Sequence, residues 1–101
     1  MNEIIFEHAP YKTLQKLKKK APSDYFKIAD FIFEDLTKTQ EPLKMPNCTK
    51  LVAFSDNSYR WRLGDHRIIA KVSKGNVYIL QIIHIGKRGE NTYGWAFKHK
   101  F

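Results

Sequence analysis

The chain has 101 residues, of which 18 are Lys or Arg and 10 are Asp or Glu, giving a net charge of +8. With 43% hydrophobic residues it is too apolar for a disordered chain, and its length suits one domain, residues 1–101, with a modest core. The single cysteine, Cys48, excludes an intramolecular disulfide and fits a reducing compartment. The excess of positive charge makes a polyanion the first partner to consider.

Met1-Asn2-Glu3-Ile4-Ile5 lacks the charged and long apolar regions of a signal peptide. No apolar run approaches the length of a membrane span. The expectation is a cytoplasmic protein with no membrane association. Ile4-Ile5-Phe6 is β-branched and aromatic and reads as a strand. Pro10 suits the first turn of a following helix. That helix, Tyr11 to Lys20, carries Leu14 and Leu17 on one side and Lys12, Lys16, Lys18, Lys19 and Lys20 around the rest. Such a lysine run is ordinarily a solvated face, though it adds to the basic excess.

Ala21-Pro22-Ser23-Asp24 interrupts the helix, and Ser23 or Asp24 can cap a second one. From Tyr25 to Lys38, residues Tyr25, Ile28, Ala29, Ile32 and Leu36 recur at helical spacing. Phe26 and Phe33 widen that stripe and are expected in the core. A connection of about three residues predicts an antiparallel helical hairpin. Glu41-Pro42 through Pro46-Asn47 is a proline-punctuated loop. Cys48 has no His or Asp partner nearby and reads as a half-buried filler, not a nucleophile.

Four strand-like runs follow: Lys50 to Phe54, Tyr59 to Leu63, His66 to Val72 and Val77 to His84. Gly64-Asp65 suits a two-residue hairpin turn with glycine at its first central position. That register sets Leu63 against His66, Arg62 against Arg67 and Trp61 against Ile68. Lys74-Gly75-Asn76 turns into the last strand. Alternation then gathers Tyr59, Trp61, Leu63, Ile68, Ala70, Val72, Tyr78, Leu80 and Ile82 on one apolar face. The same alternation assigns His84 to that face, and His66 to it or its rim. The other face carries Arg60, Arg62, Arg67, Lys71 and Gln81, with Ile69, Ile79 and Ile83 between. The sheet should therefore bury one side under the helices and present a basic side.

Like charges directly opposite each other on a sheet are destabilising. For any single arginine, a guanidinium splayed into water is the ordinary reading. A cross-strand pair with a third arginine beside it favours an anion site. His8, His66, His84 and His99 are scattered without ligand spacing, so no metal centre is expected. Asp56 and Asp65 sit in turn contexts and make no convincing carboxylate dyad. No cofactor is implied.

Strand, two helices, and then a meander with Tyr-Arg-x-Arg-x-Gly-Asp-x-Arg-Ile-Ile and later Ile-x-x-Ile-Gly-Lys-Arg…Tyr resemble the RelE/ParE toxin superfamily of toxin–antitoxin systems. The resemblance covers nearly the whole chain. Its specific part is Tyr59–Ile69 and Ile85–Tyr93. It implies an α+β fold with an N-terminal strand, a two-helix hairpin and an antiparallel β-meander, with the helices on one face. RelE-like members are described as endoribonucleases that cleave mRNA, commonly in the ribosomal A site. ParE-like members share the fold and poison DNA gyrase. By the resemblance, Arg60 and Arg62 match basic positions along the RNA path, and Lys71 and Lys87 join them as RNA-binding residues. Arg67 matches an arginine held near the scissile phosphate, Arg88 one that assists the leaving oxygen, and Tyr93 a tyrosine that stacks on a base or activates the 2′-hydroxyl. These last three are the expected catalytic residues. His66 departs from the pattern, since many relatives carry tyrosine there.

The resemblance thus implies a metal-independent endoribonuclease toxin whose partners are mRNA on the ribosome and a cognate protein antitoxin. The alternatives are a ParE-like gyrase inhibitor and a plain basic nucleic-acid-binding module.

Overall fold

A computed structural model describes residues 1–52 and 57–87. Five strands form one sheet in the order β1-β5-β4-β3-β2. In chain order they are β1 (Glu3–Phe6), β2 (Cys48–Lys50), β3 (Ser58–Leu63), β4 (His66–Lys74) and β5 (Tyr78–Lys87). Two helices, α1 (His8–Lys20) and α2 (Pro22–Asp30), lie between β1 and β2. From β2 to β5 every neighbouring pair is antiparallel, as a meander requires. The first strand joins parallel to the last, Ile4 opposite Leu80 and Phe6 opposite Ile82, so the sheet is mixed. A helical crossover between β1 and the meander permits that parallel pairing, which a tight turn could not.

The helix junction is a single residue, Ala21, and not the expected three. Ala21 closes α1 through its N–H to the Leu17 oxygen, 2.8 Å, and also opens α2. Neither Ser23 nor Asp24 caps α2. Pro22 stands at its first turn, where a fixed φ and a missing donor cost least.

Beyond Asp30 the helix continues in π geometry over Phe31–Leu36. The Thr37 hydroxyl donates to the Ile32 oxygen five residues back, 2.9 Å, in keeping with that wider winding. Asn2 ties the far end of this segment to β1. Its side-chain amide donates to the Leu36 and Thr39 oxygens, both at 2.8 Å, and its backbone N–H donates to the Thr37 oxygen. Phe26 and Phe33 are not core residues: they are 61% and 50% exposed. The buried stripe is Ile28, Phe31, Ile32 and Leu36, which leaves both rings on its flank. Phe33 instead meets Phe6, 5.9 Å between ring centres, and Phe6 meets Tyr11 edge-on at 6.3 Å.

Trp61, Ile68, Ala70, Val72, Leu80 and Ile82 meet Leu14 and the α2 stripe in one core, with Tyr59, Leu63 and Tyr78 partly buried against it. The predicted apolar face is therefore the helix-covered face. Trp61 is fully buried, and its indole N–H donates to the Pro42 oxygen at 3.0 Å, fastening the short 3₁₀ turn Pro42–Lys44 to β3. Burying the indole without that acceptor would cost the desolvation of its N–H. The strand expected at Lys50 to Phe54 lies earlier, at Cys48–Lys50, and residues 53–56 fall outside the described residues.

Candidate nucleic-acid interface

The hairpin between β3 and β4 turns on Gly64 and Asp65. Its register sets Leu63 opposite His66, Arg62 opposite Arg67 and Trp61 opposite Ile68. Gly64 has φ +61°, a left-handed conformation that glycine adopts without strain. Asn47 fixes the arginine side of this hairpin from the neighbouring edge. It accepts the Arg62 N–H at 3.0 Å, and its side-chain amide donates to the Arg62 oxygen at 2.8 Å.

Cross-strand pairs share a face, so the pairing lays out three rows on the side away from the helices. Arg62, Arg67 and Gly86 form the first row. Thr49, Arg60, Ile69 and His84 form the second. Ser58, Lys71, Gln81 and Ile5 form the third. Arg62 and Lys71 are exposed, and Arg60 and Arg67 are half-buried. Because Gly86 has no side chain, none stands directly opposite Arg67 on β5. At the β1 margin Gln81 donates to a Glu7 carboxylate oxygen at 2.9 Å. The middle of the face is apolar: Ile69 is fully buried, clustered with Leu51 and Ile83. The chain leaving β2 thus covers part of the basic side, and the arginines stand around that island.

His84 is placed differently from the expectation. Ile82 pairs with Ala70, but His84 pairs with Ile69, so Ile83 is an extra residue in β5. This bulge moves His84 from the core face to the arginine face and returns Ile85 to the core. The sequence held one sign of it: core positions Leu80, Ile82 and Ile85 break a strict spacing of two. His84 is half-buried, with its Nε2 atom inaccessible to solvent. His66 is buried at 6% exposure on the core side, opposite Leu63.

The structure thus brings Arg60, Arg62, Arg67 and Lys71 to one face. Lys87 is not among them: it pairs with His66 and leaves the sheet on the helix side. Arg88 and Tyr93 lie outside the described residues. Burial pushes the Cys48 thiol from 9.0 up to about 11, with the Arg60 guanidinium opposing the shift, so the thiolate nucleophile is suppressed. Among the described residues no group of three or more His, Cys, Asp or Glu side chains is placed to hold a metal ion, and no helix is long and apolar enough to cross a membrane.

One residue that sequence reasoning missed is Lys27 of α2. Its Nζ lies 2.6 Å from where a Cβ on Gly64 would stand, so the ammonium rests against the hairpin turn. No pattern in the sequence connects those two positions.

A helical hairpin over one side of a five-stranded mixed sheet, with arginines on the other side, defines a two-layer α+β domain. No family model matches the chain, and no curated protein matches it. Solved structures do. The YoeB/ParE toxin from Agrobacterium tumefaciens superposes with a TM-score of 0.69 at 17% identity, covering 85% of this chain and 98% of that one. The RelBE2 toxin–antitoxin complex from Mycobacterium tuberculosis gives 0.68 at 21% identity, covering 85% and 96%. The chain has the RelE/ParE toxin fold.

Proposed function

We propose that this chain is the toxin of a toxin–antitoxin pair and that it cleaves mRNA held on the ribosome. The observation that carries this reading is Arg62 directly opposite Arg67, with Arg60 and Lys71 on the same face, away from the helices. A fold gains nothing from setting two cations face to face. A bound phosphodiester turns that repulsion into attraction, and the planar guanidinium can contact phosphate oxygens in two places.

RNA supplies its own nucleophile, the 2′-hydroxyl. The protein's task is then to hold that oxygen in line with phosphorus and to stabilise the charge that develops. Alignment alone can lower a barrier by about 7–11 kcal/mol. In this reading Arg67 and Arg88 stabilise the transition-state charge, and Tyr93 stacks on a base or assists the 2′-hydroxyl. Arg60, Arg62 and Lys71 hold the RNA backbone. Neither metal nor cofactor enters. A cognate antitoxin, acidic or amphipathic where it meets the basic face, offsets the charge and blocks the site. The protein works in the cytoplasm, where ribosomes translate.

Controlled expression followed by mapping of new mRNA 5′ ends tests the proposal. Codon-registered cuts that disappear in Arg67→Ala support it. DNA damage without cuts would replace it with inhibition of gyrase.

A further inference from the structure

We infer that the polyanion track does not stop at the edge of the arginine face but turns around the β3–β4 hairpin tip onto Lys27 and Lys87. This rests on the RNA-binding part of the proposed function and names the path the strand takes.

Four cations from four elements surround the Gly64–Asp65 turn. Arg62 and Arg67 leave it on the side away from the helices. Lys87 pairs with His66, the first residue after the turn, and leaves on the helix side. Lys27 reaches the turn itself from α2, its Nζ 2.6 Å from the missing Cβ of Gly64. Glycine at this position is what lets the ammonium approach the backbone. Lys27 and Lys87 are exposed, and neither makes a hydrogen bond or ion pair with the described residues. Asp65, the acid of the turn, is exposed and likewise unpaired among them.

A lysine lying near a turn without bonding to it brings its charge to the hairpin tip while keeping all its donors available. A strand whose phosphates engage Arg62 and Arg67 leaves that row at the hairpin tip, where Lys27 offers the next cation and Lys87 another on the far side. Lysines give point contacts to phosphate without reading bases. This part of the track therefore adds affinity and salt dependence but no sequence preference.

The test uses non-cleavable 2′-O-methyl RNA strands from about 4 to about 16 nucleotides long, the range single-stranded sites occupy. Affinity for the full chain is measured against salt for wild type, Lys27→Gln, Lys27→Arg and Asp65→Asn. Lys27→Gln should match wild type on the shortest strand. On longer strands it should bind more weakly, with a log–log salt slope smaller by about 0.7, the value for one phosphate contact on a single strand. Lys27→Arg should keep the wild-type slope, and Asp65→Asn should bind long strands more tightly. Equal affinities for Lys27→Gln and wild type at every length would overturn the path while leaving the arginine face intact. An equal loss at every length would also overturn it, because the effect would then be on the hairpin and not on the track. Failure of the wild-type chain to bind any of the strands would overturn this inference, whereas the proposed cleavage of ribosome-held mRNA stands or falls on the mapped 5′ ends.

Discussion

His84 stands opposite Ile69, on the arginine side of the sheet, although only one residue separates it from the core residue Ile82. One extra residue in β5 produces that placement and brings Ile85 down to 3% exposure in the main core.

The bulge makes a prediction about stability. Ile85→Ala should cost about 2–5 kcal/mol, the range for removing a buried isoleucine side chain. His84→Ala should cost clearly less, because its side chain lies outside the main core. Urea denaturation of both variants checks this. A larger loss for His84→Ala would mean that alternation runs through β5 unbroken.

Arg62 and Arg67 face each other at the end of the hairpin. Arg62→Gln should therefore stabilise the free protein by about 0.2–1 kcal/mol, the usual size of a cross-strand term, while weakening RNA binding. The stabilisation should shrink as salt rises, because Arg62 is exposed and its charge is screened. Thermal unfolding at low and high ionic strength provides the measurement. Loss of stability at low salt would show that the pair is already neutralised within the fold.

At the turn, Gly64→Ala forces an L-residue to φ +61° and brings a methyl group against the Lys27 ammonium. The lysine end can move aside, so backbone conformation dominates the cost, about 1–2 kcal/mol. Gly64→Asn should cost less, since asparagine tolerates this region better. Equilibrium unfolding of the two variants gives the order, and equal costs would point to the steric contact instead.

Cys48 carries a pH prediction. Its folded-state ionisation is raised from 9.0 to about 11, chiefly by burial. Between those values the unfolded chain has lost the thiol proton while the folded chain still holds it. Stability should therefore fall as pH rises from about 9 to about 11, and Cys48→Ser should lessen the slope. Alkylation of the native thiol near neutral pH should be slower than in the unfolded chain. Equal rates in the two states would show that Cys48 is not shielded.

Much of this architecture is legible in the sequence because two signals agree. Alternation in Tyr59–Leu63 and His66–Val72 separates Trp61, Ile68 and Ala70 from Arg60, Arg62 and Lys71, and Gly64 fixes the register between the strands. Where one signal stood alone, it misplaced residues. Helical spacing counted Phe26 and Phe33 as core, yet the core needs only one stripe of α2, and their flank faces solvent. Ser23 and Asp24 are good capping types, but the helix already starts at Pro22, so both lie inside its first turn and the N-cap is Ala21. The bulge at Ile83 has no glycine or proline to mark it. The contact of Lys27 with Gly64 depends on how α2 crosses the sheet, which no local pattern encodes.

The position of β5 has a consequence for synthesis. This strand, the last described part of the chain, lies between β1 and β4 and pairs with both. A nascent chain can close the β3–β4 hairpin early, but β1 has no partner until Tyr78–Lys87 has left the exit tunnel. Long-range pairing of this kind forms slowly, because the loop-closure entropy comes before the contacts that offset it. The basic residues of β3 and β4 can therefore be side by side while β1 still presents an unpaired edge, and the parallel pairing of Ile4 with Leu80 is among the last contacts to form.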